Sequence, residues 1–110
     1  MVIKKPTIFI YTCQPDRAVL KEVCAGMEEE GVFFEIFEQK ETEPAQLAWQ
    51  AAQDSMLGSG VGISGMDAAC SMRGLPKKRC VQVCRNGNRE QCRSLGANSA
   101  RAIKRQPLKV

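Results

Sequence analysis

Thr7-Ile-Phe-Ile-Tyr-Thr12, Val19-Leu-Lys-Glu-Val-Cys-Ala-Gly-Met27 and Val32-Phe-Phe-Glu-Ile-Phe37 follow one another in the first third of the chain, and their reading decides the fold. The first segment is rich in β-branched and aromatic residues and lies between Pro6 and Pro15, which reads as a strand apolar on both faces. From Asp16 to Glu30, Val19, Leu20, Val23, Cys24 and Met27 recur with the spacing of an amphipathic helix. Gly31 stands where a left-handed C-terminal cap is wanted. The third segment is a second strand. Two strands joined by a helix in so short a length predict a parallel crossover unit.

Outward from this unit, Thr42-Glu43-Pro44 opens a second helix running to about Leu57, with Thr42 or Glu43 before a first-turn proline. Leu47, Ala48, Ala51 and Ala52 form its inner stripe, Trp49 sits at its edge, and Gly58 stops it. Leu57-Gly-Ser-Gly-Val-Gly-Ile-Ser-Gly65 then alternates glycine around Val61 and Ile63, which predicts a short central strand approached closely by another backbone or a flat ligand. It lacks the following helix of a dinucleotide-binding turn and the Gly-Lys-Ser/Thr of a phosphate loop. Asp67–Met72 returns as a strand after a turn at Gly65-Met66, and Leu75-Pro76 breaks the chain. Cys80–Cys84 alternates as another strand, Asn86-Gly87 marks a turn, and Arg89 to about Lys104 reads as a last helix carrying Leu95, Ala102 and Ile103 inward, with Gly96 weakening its continuity. The expected fold is a three-layer α/β sandwich with a mixed, mostly parallel five-stranded sheet, in one domain over residues 1–110.

Composition narrows the function. A chain of 110 residues with 44% apolar and 25% charged side chains supports one core and leaves little for a deep private active site. The net charge of +4 hides an asymmetry: residues 1–72 carry 5 basic and 11 acidic side chains, whereas residues 73–110 carry 11 basic side chains and the single acid Glu90. Such a basic segment attracts an acidic partner surface or a phosphate polymer. One Tyr and one Trp, without aromatic residues interleaved among the basic ones, argue against nucleic acid. The apolar run Ile8–Tyr11 is too short for a signal-peptide core or a membrane span, so a cytoplasmic location is expected. There the six cysteines stay reduced. With no His and no Cys-x-x-Cys, the group Cys80, Cys84 and Cys92 has the wrong spacing for paired zinc knuckles, and most of the cysteines read as small buried hydrophobes. A cysteine-based metal or redox protein is the competing class, and it predicts stoichiometric metal and loss of fold on chelation. No nucleophile stands beside an obvious base, so the residues by themselves describe an α/β partner module without catalytic residues.

One feature resists a purely structural reading. Glu28-Glu29-Glu30 places three carboxylates in the last turn of the first helix, at the negative end of its dipole. A solvated charge run is the ordinary explanation.

Leu20-Lys-Glu-Val-Cys-Ala-Gly-Met-Glu-Glu-Glu-Gly31, Ala48-Trp-Gln-Ala-Ala52, Leu57-Gly-Ser-Gly-Val-Gly-Ile63, Leu75-Pro76 and Asn98-Ser-Ala-Arg101 with Lys104 together resemble the small subunit of the diol/glycerol dehydratase reactivase, from about Thr7 to Pro107. The same domain occurs in the medium subunit of the cobalamin-dependent dehydratase, which normally carries an N-terminal extension before the first strand. The resemblance implies a Rossmann-like sandwich with one antiparallel strand and a non-catalytic, chaperone-like role. It implies a large partner subunit that is an actin-like ATPase binding ATP or ADP, and a complex that frees damaged cobalamin from inactivated dehydratase by exchanging subunits. In that family the middle glutamate of Glu-Glu-Glu-Gly, here Glu29, reaches a divalent metal such as Mg²⁺ held by the large subunit. Gly58, Ser59, Gly60 and Gly62 match a segment near cobalamin in the dehydratase subunit. The stretch after Ile63 is shorter than in that subunit, and residues 70–92 are unusually rich in cysteine, two departures that leave Glu29 untouched.

Overall fold

The computed structural model describes residues 6–77, 79–104 and 108. The elements are β1 (Ile8–Cys13), α1 (Arg17–Glu29), β2 (Phe34–Glu38), α2 (Pro44–Asp54), β3 (Ser59–Ser64), β4 (Asp67–Met72), β5 (Gln82–Cys84) and α3 (Arg89–Ile103). The strands form one sheet in the order β2-β1-β3-β4-β5.

α1 begins because the Asp16 carboxylate accepts the Ala18 and Val19 N–H groups at 3.1 and 3.2 Å, which satisfies two otherwise unpaired donors of the first turn. It ends where Gly31 takes φ +71° and the Val32 N–H folds back onto the Met27 carbonyl. Val32 is thereby spent on the cap. β2 starts at Phe34, two residues later than the apolar run suggests.

α2 is capped by Glu43, whose side chain accepts from the Ala45 N–H, with Pro44 in the first turn. It stops at Asp54 and not near Leu57. Ser55 turns the chain out of the helix, donating its hydroxyl to the Thr7 carbonyl at 2.6 Å and accepting the Leu57 N–H at 3.2 Å. β5 is also shorter than the Cys80–Cys84 alternation predicts.

The mostly parallel sheet is corrected. β1 pairs in parallel with β2 and β3, but β3 with β4 and β4 with β5 are antiparallel, so only two of the four ladders are parallel. The cause is local. Gly65, at φ +56°, turns β3 straight back into β4, and a two-residue reversal cannot supply the long crossover that a parallel neighbour needs.

Two layers of helix close the sheet. On one face α1 and α3 cover Ile8, Ile10, Val61, Ile63, Ala68 and Cys70, all 0–1% exposed. Each fully buried Ile or Leu there contributes roughly 1.5–3 kcal/mol through burial. On the other face α2 brings Leu47 and Ala51 to Tyr11, with Phe9 and Cys13 packed against them. The alternating glycines explain how closely α2 sits. A Cβ on Gly60 would lie 2.2 Å from the Ala52 nitrogen, and one on Gly62 would lie 2.3 Å from the Pro44 carbonyl oxygen. The close approach expected at this segment is therefore made by the backbone of α2. The Ala48–Ala52 and Leu57–Ile63 segments are two halves of one contact.

α3 is capped by Asn88, which accepts the Gln91 N–H at 3.0 Å, and it runs unbroken through Gly96. Gly96 is required there, because a Cβ would stand 2.0 Å from the Val23 carbonyl oxygen of α1. Gly26 answers it from α1, 2.1 Å from the Arg93 carbonyl oxygen by the same measure. Leu95 is fully buried as expected, while Ala102 and Ile103 are half-buried.

Candidate functional site

The close α1–α3 contact brings the acidic end of one helix against the basic face of the other. Arg93 Nε donates to Glu22 Oε2 and its Nη1 to Glu29 Oε1, both at 2.9 Å. Arg101 Nε donates to Glu30 Oε2 at 3.1 Å, and Lys104 Nζ donates to the Glu30 carbonyl. The two carboxylates hold the Arg93 guanidinium above its ordinary range, the Glu22 hydrogen bond first.

This arrangement accounts for two of the three glutamates at the helix C-terminus. Cations from α3 neutralise Glu29 and Glu30, and Lys104 also satisfies one of the terminal carbonyls of α1. Part of the basic C-terminal segment therefore has its acidic partner inside the chain. Lys78, Arg105 and Lys109 of that segment, and the Met1–Lys5 stretch, lie outside the described residues.

Glu29 remains the most outward of the paired carboxylates. It is the last residue of α1, with its side chain 41% exposed, against 17% for Glu22 and 11% for Glu30. A carboxylate oxygen in that position suits a hard divalent cation. Among the described residues, however, no group of three or more His, Cys, Asp or Glu side chains gathers to hold a metal ion. Glu29 by itself offers a single, half-exposed carboxylate there, already paired with Arg93. Arg93 would have to share or release Oε1, since two cations on one oxygen repel.

Beside this end of α1 opens an apolar groove of about 550 Å³, lined by Pro6, Val32, Phe33, Met56, Leu57 and Ile103, with Gly31 and Lys104 completing it. Phe33 is 57% and Met56 72% exposed, so the acidic end and an apolar surface adjoin. The residue pattern did not reveal this groove, because its walls come from four separate segments.

The remaining motifs are structural. Asn98, 2% exposed, donates Nδ2 to Gln82 Oε1 at 2.7 Å and ties α3 to β5. Ser59 donates its hydroxyl to the Ser99 carbonyl at 2.8 Å and ties α3 to β3. Trp49 is half-buried with Lys77 Nζ 5.4 Å from its ring centroid. Gly58 takes φ +73°, Ser59 is buried, and Gly60 and Gly62 face α2, so all four are accounted for by the backbone. Cys70, Cys84 and Cys92 are buried, and Cys13, Cys24 and Cys80 are half-buried. Among the described residues no helix is long and apolar enough to cross a membrane.

A family model described as "Dehydratase medium subunit" matches residues 5–109. The propanediol dehydratase-reactivating factor small subunit of Citrobacter freundii is 31% identical over 105 residues, which cover 94% of this chain and 90% of that protein. Among solved structures, a chain of a diol dehydratase-reactivating factor complexed with ADP and Mg²⁺ matches with TM-score 0.88 at 27% identity, covering 97% of this chain and 100% of that one. A glycerol dehydratase reactivase chain matches with TM-score 0.89 at 26% identity, covering 96% and 98%.

Proposed function

The chain belongs to the dehydratase medium-subunit family, on the side of the small subunits of diol and glycerol dehydratase reactivating factors, and from that premise we propose that it is the non-catalytic small subunit of an ATP-dependent, chaperone-like reactivase. Its partners are a large subunit that binds ATP or ADP and hydrolyses the nucleotide, and an inactivated diol or glycerol dehydratase. The complex releases damaged cobalamin from the dehydratase by subunit exchange. It works in the cytoplasm or in association with a bacterial microcompartment. One observation carries this reading: a family model described for a dehydratase medium subunit spans the chain, while the Citrobacter freundii relative is a reactivating-factor small subunit. One shape serving both assemblies is what trading places requires.

Within this reading Glu29 is the carboxylate that this chain extends toward Mg²⁺ at the interface with the large subunit. Its exposure at the tip of α1 and its orientation by Arg93 support the role. The metal would supply charge neutralisation at the joint. The chain's own contribution is a half-exposed carboxylate at the tip of α1, with the apolar groove beside it giving the partner a surface to bury.

Co-purification with the large subunit, with and without Mg²⁺ and ADP, tests this for wild type and Glu29→Ala. Assembly that depends on Mg²⁺ and weakens at least tenfold in the variant, as loss of a charged contact at an interface predicts, is the expected result. The family model's own description favours a second reading, a cobalamin-binding medium subunit of the dehydratase itself. That reading requires the chain to join dehydratase subunits and to change the cobalamin spectrum.

A further inference from the structure

Two cysteines that the proposed function does not use lie against each other at the far end of α3. The Sγ atoms of Cys84 and Cys92 are 2.8 Å apart, less than an ångström beyond the bonded separation of about 2.05 Å. Both residues are 0% exposed.

Their meeting is built by the surrounding backbone. Cys84 ends β5 and is fixed in register opposite Ala68 of β4. Asn86 and Gly87, at φ +59° and +68°, then turn the chain back, and the Gly87 N–H holds the turn to the Met66 carbonyl at 2.8 Å. Asn88 caps α3, and its carbonyl oxygen accepts both the Cys92 N–H at 2.9 Å and the Cys84 thiol at 3.5 Å. The two thiols therefore converge on one capping residue, in a loop whose conformation is already set.

We infer that Cys84 and Cys92 are a redox modification site, closing reversibly to an intramolecular disulfide that staples β5 to the first turns of α3. The co-reactant is a small disulfide such as oxidised glutathione. One protein thiolate attacks it, forming a mixed disulfide and releasing one glutathione thiolate. The second protein thiolate then displaces the other glutathione. Two electrons pass from the protein sulfurs to the oxidant, and the two thiol protons end on the released glutathiones. Burial, and next the bond to Cys84, push the Cys92 thiol up to about 12, so exchange proceeds through brief opening of the loop and is slow. Cys92 directly precedes Arg93, so the staple fixes the stretch of α3 that presents the guanidinium to Glu22 and Glu29.

The test is an equilibrium one, on the full wild-type chain, and does not depend on the large subunit. The chain is brought to equilibrium in graded glutathione redox buffers, once in native buffer from the unfolded state and once in concentrated urea. Acid quench, intact mass and peptide mapping then identify each disulfide. A single Cys84–Cys92 bond is expected, with a formation constant about a hundredfold larger in native buffer than in urea, the size that closing a short preformed loop predicts. Equal constants in the two buffers, absence of the bond, or pairing spread over Cys13, Cys24, Cys70 and Cys80 would overturn the assignment.

Discussion

On one face of the sheet α2 rests against the backbone of β3 through Gly60 and Gly62, with Ala48, Ala51 and Ala52 as its contact surface. On the other, Ile8, Ile10, Val61 and Ile63 fill the space beneath α1 and α3, and the glycines sit in the helices, at Gly26 and Gly96. The first face removes side chains from the strand so that a helix can approach the sheet. The second removes them from two helices so that they can approach each other above a thick core. The difference shows where each face can give. A helix pressed onto a strand is held by a ladder on both sides, whereas two helices over a core can tilt apart.

Alanine at each glycine separates these cases and carries the largest expected effect. At Gly60 or Gly62 the new Cβ meets backbone of α2 at 2.2–2.3 Å, and we expect a loss of about 3 kcal/mol, the upper end of overpacking. At Gly26 or Gly96 the clash with backbone is as close, at 2.0–2.1 Å, but the helices can shift and alanine restores up to about 1 kcal/mol of helix propensity. A net loss of about 1–2 kcal/mol is expected there. Urea unfolding of the four variants measures both, and equal losses on the two faces would break the distinction.

Alkaline pH sharpens it next. Burial pushes the Cys70 thiol up to about 12, and it pushes the Cys24 thiol, with some help from Glu28, up to about 11. Cys92 is raised likewise, and these three lie on the α1–α3 face, whereas a fourth thiol, Cys80, is raised by burial and then by Glu43 at the start of α2. On the α2 face Tyr11 is raised above its ordinary value of 10 by burial and by its hydrogen bond to Asp54 Oδ2 at 2.5 Å. The unfolded chain releases the thiol protons near pH 9 while the folded chain keeps them. Stability is thus full below pH 9 and falls as pH rises through the folded values, by up to about 1.4 kcal/mol per pH unit for each thiol. Between pH 9 and 10 the loss belongs to the thiols. Hydrogen exchange should therefore show α1 and α3 loosening before α2, and simultaneous loosening would count against separate faces.

The two faces also differ in how much of them could be read from the residues. The close approach at β3 was legible in its alternating glycines, but these leave open a backbone or a flat ligand, and only the structure shows that α2 supplies it. Asp16 and Gly31 similarly bracketed α1. What misled was competition at the ends. Val32 looks like a strand residue but completes the α1 cap, and Ser55 ends α2 before Gly58 can, through hydrogen bonds to Thr7 and Leu57. β4 is legible as the one reversed strand, but because it lies between β3 and β5 that single reversal makes two of the four ladders antiparallel. Of the candidate site, Glu29 stood out as part of a charge run at an unfavourable helix end. Its partner Arg93 lies 64 residues away, and no periodicity connects them. The charge asymmetry between residues 1–72 and 73–110 was the available signal, and it pointed first to an external partner. Gly96 read as a weakness in α3 for the same reason: what it accommodates is the backbone of another helix.

The smallest expected effect concerns how the two faces treat a helix C-terminus. At the end of α2, Arg73 Nη2 donates directly to the Gln53 carbonyl at 3.2 Å and to the Ser55 carbonyl, so the cation answers the terminal carbonyls themselves. At the end of α1 Lys104 likewise reaches a backbone carbonyl, that of Glu30, but Arg101 is held by the Glu30 side chain, with the two side chains 27% and 11% exposed. An ion pair this sheltered should exceed the usual exposed pair, and a double-mutant cycle with Arg101→Gln and Glu30→Gln should return a coupling of about 1 kcal/mol. Lys104 binds the backbone carbonyl of Glu30, so its contact survives the Glu30→Gln change and drops out of the cycle. Raising the salt concentration should leave most of this coupling in place, because sheltered charges are screened less than exposed ones. A coupling near zero would mean that the Glu30–Arg101 pair contributes nothing to stability, and that Glu30 serves something other than holding α3 against α1.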